Sequence, residues 1–420
     1  VAANTFTDDA GNGNTAATQF NWTSITYNVT FTVDNNTIAE GDSATITATL
    51  SAASSSGAVI NFTPSGTATI GDDYQINYVG KGAVTYSGNA VVTTVAGGNG
   101  YGSNADQFSE PSGVAVDTLG NIYVADPHNH RIQKWAPNST EGETVAGGNG
   151  SGSNANQLSW PQDVALDANG NIYIADRDNH RIQKWLVGAN TGVTVAGGNN
   201  IGSNSSQLNN PVAIALDANG NIYIADYSNH RIQKWLAGAS TGTTVAGGNG
   251  YGSNTNQLNL PMDLALDQFG NIYIAEYGNN RIQKWNYGST EGVTLASGFW
   301  SARSVVVDAF GSIYVADAPN HRVEKWSAGA TEGITVAGGG GQGHSILQLN
   351  SPQGLALDAS GGLYISDLAN ARIQKVSHHP QAIIPAGQTT GTMTVKATAD
   401  GVIESAETII LTPTSFGASL

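Results

Sequence analysis

His130, His180, His230 and His321 each stand directly before an Arg-x-x-Lys run, Arg131-Ile132-Gln133-Lys134 in the first copy. Imidazoles from several copies meeting on one axis would suit a metal ion. The equivalent residues of the two remaining copies are Asn280 and Ala371, however, and a residue type supplied once per repeat is normally one that the fold itself requires. The same argument covers Asp117, Asp167, Asp217, Asp267, Asp308 and Asp358, which close an apolar run in all six copies. Chemistry particular to this chain must come from residues that break the period. Among acids in these runs, Asp163 and Asp263 do so, whereas a calcium-centred hydrolase needs several hard oxygen ligands converging on the axis. No catalytic residue is therefore assigned, and binding is the expected use.

The other period-breaking positions are Trp160, Gln162, Gln353 and, in a copy nine residues shorter than its neighbours, Phe299, Trp300 and Arg303. Aromatic faces beside Gln, Asp and Arg suit a sugar or an extended peptide. With Asp163 and Asp263 they form the expected ligand-binding face, and Tyr227 and Tyr277 fall nearby. The Gly-rich segments such as AGGNGYGSN follow strands but lead into no helix and carry no Lys, so they are connections and not phosphate cradles.

Composition narrows the partners. The chain has 420 residues, 40% apolar, with 53 Gly, no Cys and only 11% charged residues. Twelve of the sixteen basic residues belong to the Arg-x-x-Lys runs, the others being Lys81, Arg177, Arg303 and Lys396. With a net charge of −16 and no basic cluster, neither nucleic acid nor an anionic membrane is an expected partner. Thiolate chemistry and disulfides are excluded, and no apolar run is long enough to suggest membrane insertion.

Six copies of one pattern position these residues, at spacings of 50, 50, 50, 41 and 50. The second copy shows the pattern in full: PQDVALD, an Asn-Gly turn, NIYIAD, a short loop, RIQKW and a return through TVAGG. These are four short strands, and units of 41 to 50 residues with four strands predict propeller blades. The last copy stops after its third strand, while VVTTVAGG at 91–98 precedes the first copy with no blade of its own. That segment is expected to complete the sixth blade. The motifs P-x-x-[VIL]-[AV]-[VL]-D, [NS]-I-Y-[VI]-A-[DE] and N-H-R-[IV]-[QE]-K resemble those of the NHL-repeat β-propellers, a family of binding modules, scaffolds and occasional enzymes.

The flanks read as further alternating strands. AEGDSATI, GTATIGDDY, PAGQTTGTMTV and ADGVIESAE resemble the successive motifs of a Calx-β sandwich, with roughly 300 residues between the second and third. The resemblance implies calcium as a cofactor, held by Glu40, Asp72, Asp73, Asp400 and Glu404, although Ala399-Asp400-Gly401 departs from the acidic run of the strongest binders. The expected fold is thus all-β: a six-bladed β-propeller at 91–376, closed by an N-terminal strand, inserted in an Ig-like/Calx-β sandwich made of 27–88 and 381–417. Residues 1–26 are expected to end a preceding Ig-like domain or to form a linker. The expected function is a non-enzymatic binding or adhesion module of a bacterial surface or secreted multidomain protein, taking a glycan or peptide at the propeller face and joined to other domains of a larger chain. The alternative is a calcium-dependent propeller hydrolase or lyase.

Overall fold

Short β-branched runs separated by Asx turns pair with their sequence neighbours, which makes antiparallel hairpins the local unit. The computed structural model describes residues 90–378 apart from 310, 359 and 360, together with nine strands in the flanks. In the second blade, Asp167 Oδ1 accepts the N–H groups of Asn169 at 3.0 Å and Asn171 at 2.9 Å, and Gly170 takes the left-handed conformation that completes the turn.

Residues 91–377 form one unit of six four-stranded antiparallel sheets. The second blade runs Pro161–Leu166, Ile172–Asp176, Arg181–Trp185 and Gly192–Gly197 from axis to rim. First strands of adjacent blades touch all the way round, so the six surround a central channel. The sixth blade takes Pro352–Leu357, Leu363–Asp367 and Arg372–His378 from one end of the unit and Ala90–Gly97 from the other. Backbone hydrogen bonds between the two ends thereby close the ring and leave no unpaired strand where it begins.

The cores lie between blades. Ala125 and Ile132 of the first blade pack with Leu158, Val164, Ile174 and Trp185 of the second, and Leu158, from the connecting loop, is fully buried. Phe108, Leu208, Leu258 and Leu349 plug the equivalent places. Each plug stabilises the ring by about 1.5–3 kcal/mol of burial.

Polar groups lock the loop that carries each plug. Asp176 is fully buried, accepts the N–H of Ser159 at 2.7 Å and pairs with Arg181 Nε at 2.7 Å. The rest of that guanidinium donates to the carbonyls of Ser153 at 2.8 Å and Gln157 at 3.1 Å. Burial still holds the carboxyls of Asp126, Asp176, Asp226 and Glu276 above their ordinary range, so desolvation outweighs the arginine in each.

The repeated histidines join one blade to the next. His130 Nδ1 accepts the N–H of Trp160 at 3.2 Å, and His180, His230 and His321 do the same for Asn210, Leu260 and Ser351 at 3.1 Å. The four recipients have φ between 53° and 56°, or 51° for Leu260, a left-handed backbone that the hydrogen bond helps to hold. Such an acceptor is a neutral imidazole, and burial depresses the pKa of His180 and His230.

The fifth blade departs from this scheme and compensates for the departure. Its entry loop lacks the carbonyls that cap the arginine elsewhere, and Arg322 keeps Asp317 at 3.1 Å while gaining Glu324 at 2.8 Å. Glu324 replaces the glutamine found in the other five blades. Phe299 fills the plug position, buried against Trp326 with ring centroids 6.0 Å apart.

The flanks form the second unit, residues 1–90 with 378–420, described through its strands. One sheet is ordered Gln19–Asn21, Asn28–Val33, Ser43–Leu50, Thr390–Ala397, Tyr74–Tyr78. The other is ordered Asn4–Thr7, Thr408–Gly417, Ala58–Gly66, Gln381–Ile384. Each sheet draws strands from both sides of the propeller segment. Of residues 1–26, the two described strands pair within this unit: Asn4 to Thr7 with Leu411 to Thr408, and Gln19 to Asn21 with Thr30 to Asn28.

Two predictions follow from these bonds. Glu324→Gln leaves Arg322 with one carboxylate and no loop carbonyls, and should lower stability by about 1 kcal/mol, read as a fall in Tm, because the pair is partly exposed; Gln183→Glu, where the arginine is already capped, should give no gain. His180 and His230 bind protons less readily folded than unfolded, so their contribution is present above pH 6.5 and lost as pH falls below it. Replacing both with Asn, the residue of the fourth blade, should lower Tm at pH 7.5 and flatten its decline between pH 7 and 5.

Candidate functional site

First strands begin at one mouth of the channel, and second strands end there, because Pro161 pairs with Asp176 across the hairpin. The residues before each first strand and after each second strand consequently share this rim. The channel behind it has a volume of about 290 Å³ and is lined by all six first strands.

Non-repeating side chains gather at the mouth. The Trp160 and His128 rings meet at 57° with centroids 4.3 Å apart, and the Arg177 guanidinium lies 6.0 Å from the centre of the Trp160 ring. His128 Nε2 and Glu110 are 2.9 Å apart. On the other side, the Arg303 guanidinium lies 4.8 Å from the centre of the Tyr277 ring. Tyr227 is half-buried, its hydroxyl pKa raised first by desolvation and then by Tyr277, and lowered in part by Arg303 and Arg177. Both cations are therefore within electrostatic reach of one tyrosine.

Deeper in, Asp163 and Asp263 face the channel yet are surrounded by protein. Asp163 Oδ2 accepts the N–H of Ile214 at 2.9 Å, on the first strand of the next blade. Asp263 accepts Ser304 Oγ–H at 2.5 Å and the N–H of Val305 at 2.9 Å, again on the next blade. Ser304 Oγ in turn accepts the N–H of Leu355 at 3.1 Å. These side chains bridge first strands that have no ladder between them. Desolvation pushes the Asp163 carboxyl up to about 8, with repulsion from Asp263 adding to it, and desolvation pushes Asp263 up to about 6. The pair can hold a proton near neutral pH.

Of the expected ligand face, Gln162, Asp163, Asp263, Arg303 and Gln353 line one cavity, and Trp160 stands at its mouth. Trp300 is 78% exposed and does not line the channel. Phe299 is the correction: it is 4% exposed and belongs to the core, because the shortened loop has no other plug. Arg177 and His128 were not expected at the site, although Arg177 was legible as a base outside the repeated motif. The histidines next to Arg-x-x-Lys serve blade contacts, and among the described residues no three His, Asp or Glu side chains gather as a metal site. Glu40, Asp72, Asp73, Asp400 and Glu404 lie outside the described residues.

The repeat motif matches the NHL repeat at residues 108–135, 158–185, 208–235 and 349–376. No curated protein matches the sequence. Among solved structures, the chain is similar to a gluconolactonase of Xanthomonas campestris, at 12% identity and a TM-score of 0.53, over 75% of this chain and 97% of that one. It is similar also to auxiliary nutrient binding proteins of Bacteroides thetaiotaomicron (14% identity, TM-score 0.52, 83% of this chain and 97% of that one) and Bacteroides ovatus (15%, 0.52, 80% and 94%). At these identities the likeness is one of fold, and the chain is an all-β six-bladed propeller carrying NHL repeats.

Proposed function

We propose that the propeller is a non-enzymatic ligand-binding module, of a bacterial surface or secreted protein, that takes a carbohydrate at the channel mouth. One observation carries the reading: the residues that break the sixfold period, Trp160, Arg177, Tyr277 and Arg303 among them, converge on one rim, whereas the periodic residues are committed to the fold. Flat aromatic faces beside amide and guanidinium donors are what sugar rings and hydroxyls require. The similar solved structures bear names of both kinds, nutrient-binding and lactonase, so the fold favours neither reading.

Catalysis has one observation in its favour. A carboxyl whose pKa is raised to about 8, as at Asp163, is protonated at neutral pH, as a general acid should be. The hydrogen bonds that Asp163 accepts from Ile214, and Asp263 from Ser304 and Val305, support instead a role in holding blades together.

Two measurements separate the readings. On a glycan array followed by calorimetric titration, Trp160→Ala should weaken binding of any captured oligosaccharide at least tenfold without altering the far-ultraviolet spectrum; unchanged binding contradicts the mouth as the site. Both carboxyls bind protons more tightly folded than unfolded, so the propeller should lose stability as pH rises from about 4 to about 8. Asp163→Asn with Asp263→Asn should flatten that decline in Tm and leave binding intact. Lactone or glycoside turnover by the native chain that the double substitution abolishes would establish the enzymatic reading.

A further inference from the structure

Arg303 occupies a position where the other blades place Ser112, Gln162, Val212, Met262 and Gln353. It lines the channel mouth, its guanidinium lies over Tyr277, and among the described residues it has no carboxylate partner. Its Nε is buried and has no hydrogen-bond partner within the protein. Leaving a buried charged donor unsatisfied costs more than a typical hydrogen bond contributes, so the arrangement favours an occupant that supplies an acceptor. The second unrepeated arginine of the propeller, Arg177, stands at the same mouth, facing Trp160 and only loosely held by Asp178 at 3.7 Å. Glu110, the other carboxylate at this rim, is engaged by His128.

The shortened blade supplies a second and independent sign. Where five blades direct a loop N–H onto the buried carboxylate that ends the second strand, Asp317 is fully buried and its Oδ1 has no partner within the protein. Ser301, 4% exposed and two residues before Arg303, has an Oγ in the same condition. Trp300, between Phe299 and Ser301, is 78% exposed. A hydroxyl without a partner, a cation without a counter-ion and an exposed indole thus share residues 300–303, and Asp317, whose free carboxylate oxygen calls for a donor such as a sugar hydroxyl, pairs with Ala302 on the adjoining strand.

We infer that the segment around Arg303 is an acid-recognising subsite, and that the carbohydrate taken at the mouth carries a carboxylate, as in a uronic-acid oligosaccharide. This rests on the carbohydrate reading above and specifies it. Bidentate pairing to a guanidinium backed by an aromatic face is a common way to hold a carboxylate. The protein's net charge of −16 provides no long-range attraction for such a ligand, so recognition must be made by these two cations at contact.

The test uses the full chain and calorimetric titration with oligosaccharides of galacturonic, glucuronic and mannuronic acid, each beside its carboxyl-reduced neutral counterpart. At least one uronate should bind tenfold or more tightly than its reduced form, with a preference that shrinks as salt is raised. Arg303→Gln should abolish that preference and keep the weak neutral binding. Gln is the residue of the second and sixth blades at this position, so the variant should fold, and its Tm verifies this. Equal binding of acid and reduced forms overturns the acidic subsite and leaves the carbohydrate reading standing. A preference that survives Arg303→Gln overturns the assignment to Arg303. Failure of all six probes to bind overturns both.

Discussion

In five of the six blades a fully buried carboxylate at the end of the second strand accepts a loop N–H with one oxygen and an arginine with the other. The guanidinium then reaches back to cap carbonyls of that same loop. The loop enters from the preceding blade and carries the apolar plug, so a single ion pair orders the loop, seats the plug and fixes the spacing of adjacent sheets. Removing one partner from such a pair costs about 3–5 kcal/mol, because the other is left charged and dry. The short strands, the flat blade cores and the closing strand all presuppose it.

This constraint explains why function must reside in the exceptions. The repeated Asp, Arg, Asn and His residues have their hydrogen bonds taken up: Asn179 by Asp176 and Gly152, His180 by Asn210, Lys184 by Asp167. The fifth blade shows what happens when the lock is relaxed. Losing the loop deprives Arg322 of its carbonyl acceptors, and Glu324 restores one partner, but Asp317 and Ser301 are left with unpaired atoms beside the mouth. This defect, tolerated in one blade out of six, lies next to Arg303, which among the described residues has no carboxylate partner, and the two together favour a ligand there.

Most of the propeller was legible because its signals are local and repeated: the Asn-Gly turns, the β-branched runs, the six copies, and the orphan segment 91–98 that closes the ring. The site was legible in part, since comparing blades singled out Trp160, Gln162, Asp163, Asp263, Arg303 and Gln353. It misassigned Phe299, because an aromatic in a variable loop reads as exposed unless one knows that the deleted loop carried the buried plug. Arg177 was missed for a related reason. It lies after the second strand, and only the hairpin pairing of Pro161 with Asp176 brings that position beside Trp160. The roles of Asp163 and Ser304 in joining blades depend on contacts about fifty residues apart in sequence, which periodicity does not reveal.

The central claim, that periodic residues make the fold and the irregular fifth blade makes the acidic subsite of the mouth, can be tested by restoring the period. A variant whose fifth blade receives the missing nine residues, with Gln at 303 and 324, should fold with a Tm at or above that of the native chain, bind neutral oligosaccharides weakly as the native chain does, and show no preference for a uronate over its reduced form. A uronate preference retained by that regularised propeller would contradict the account.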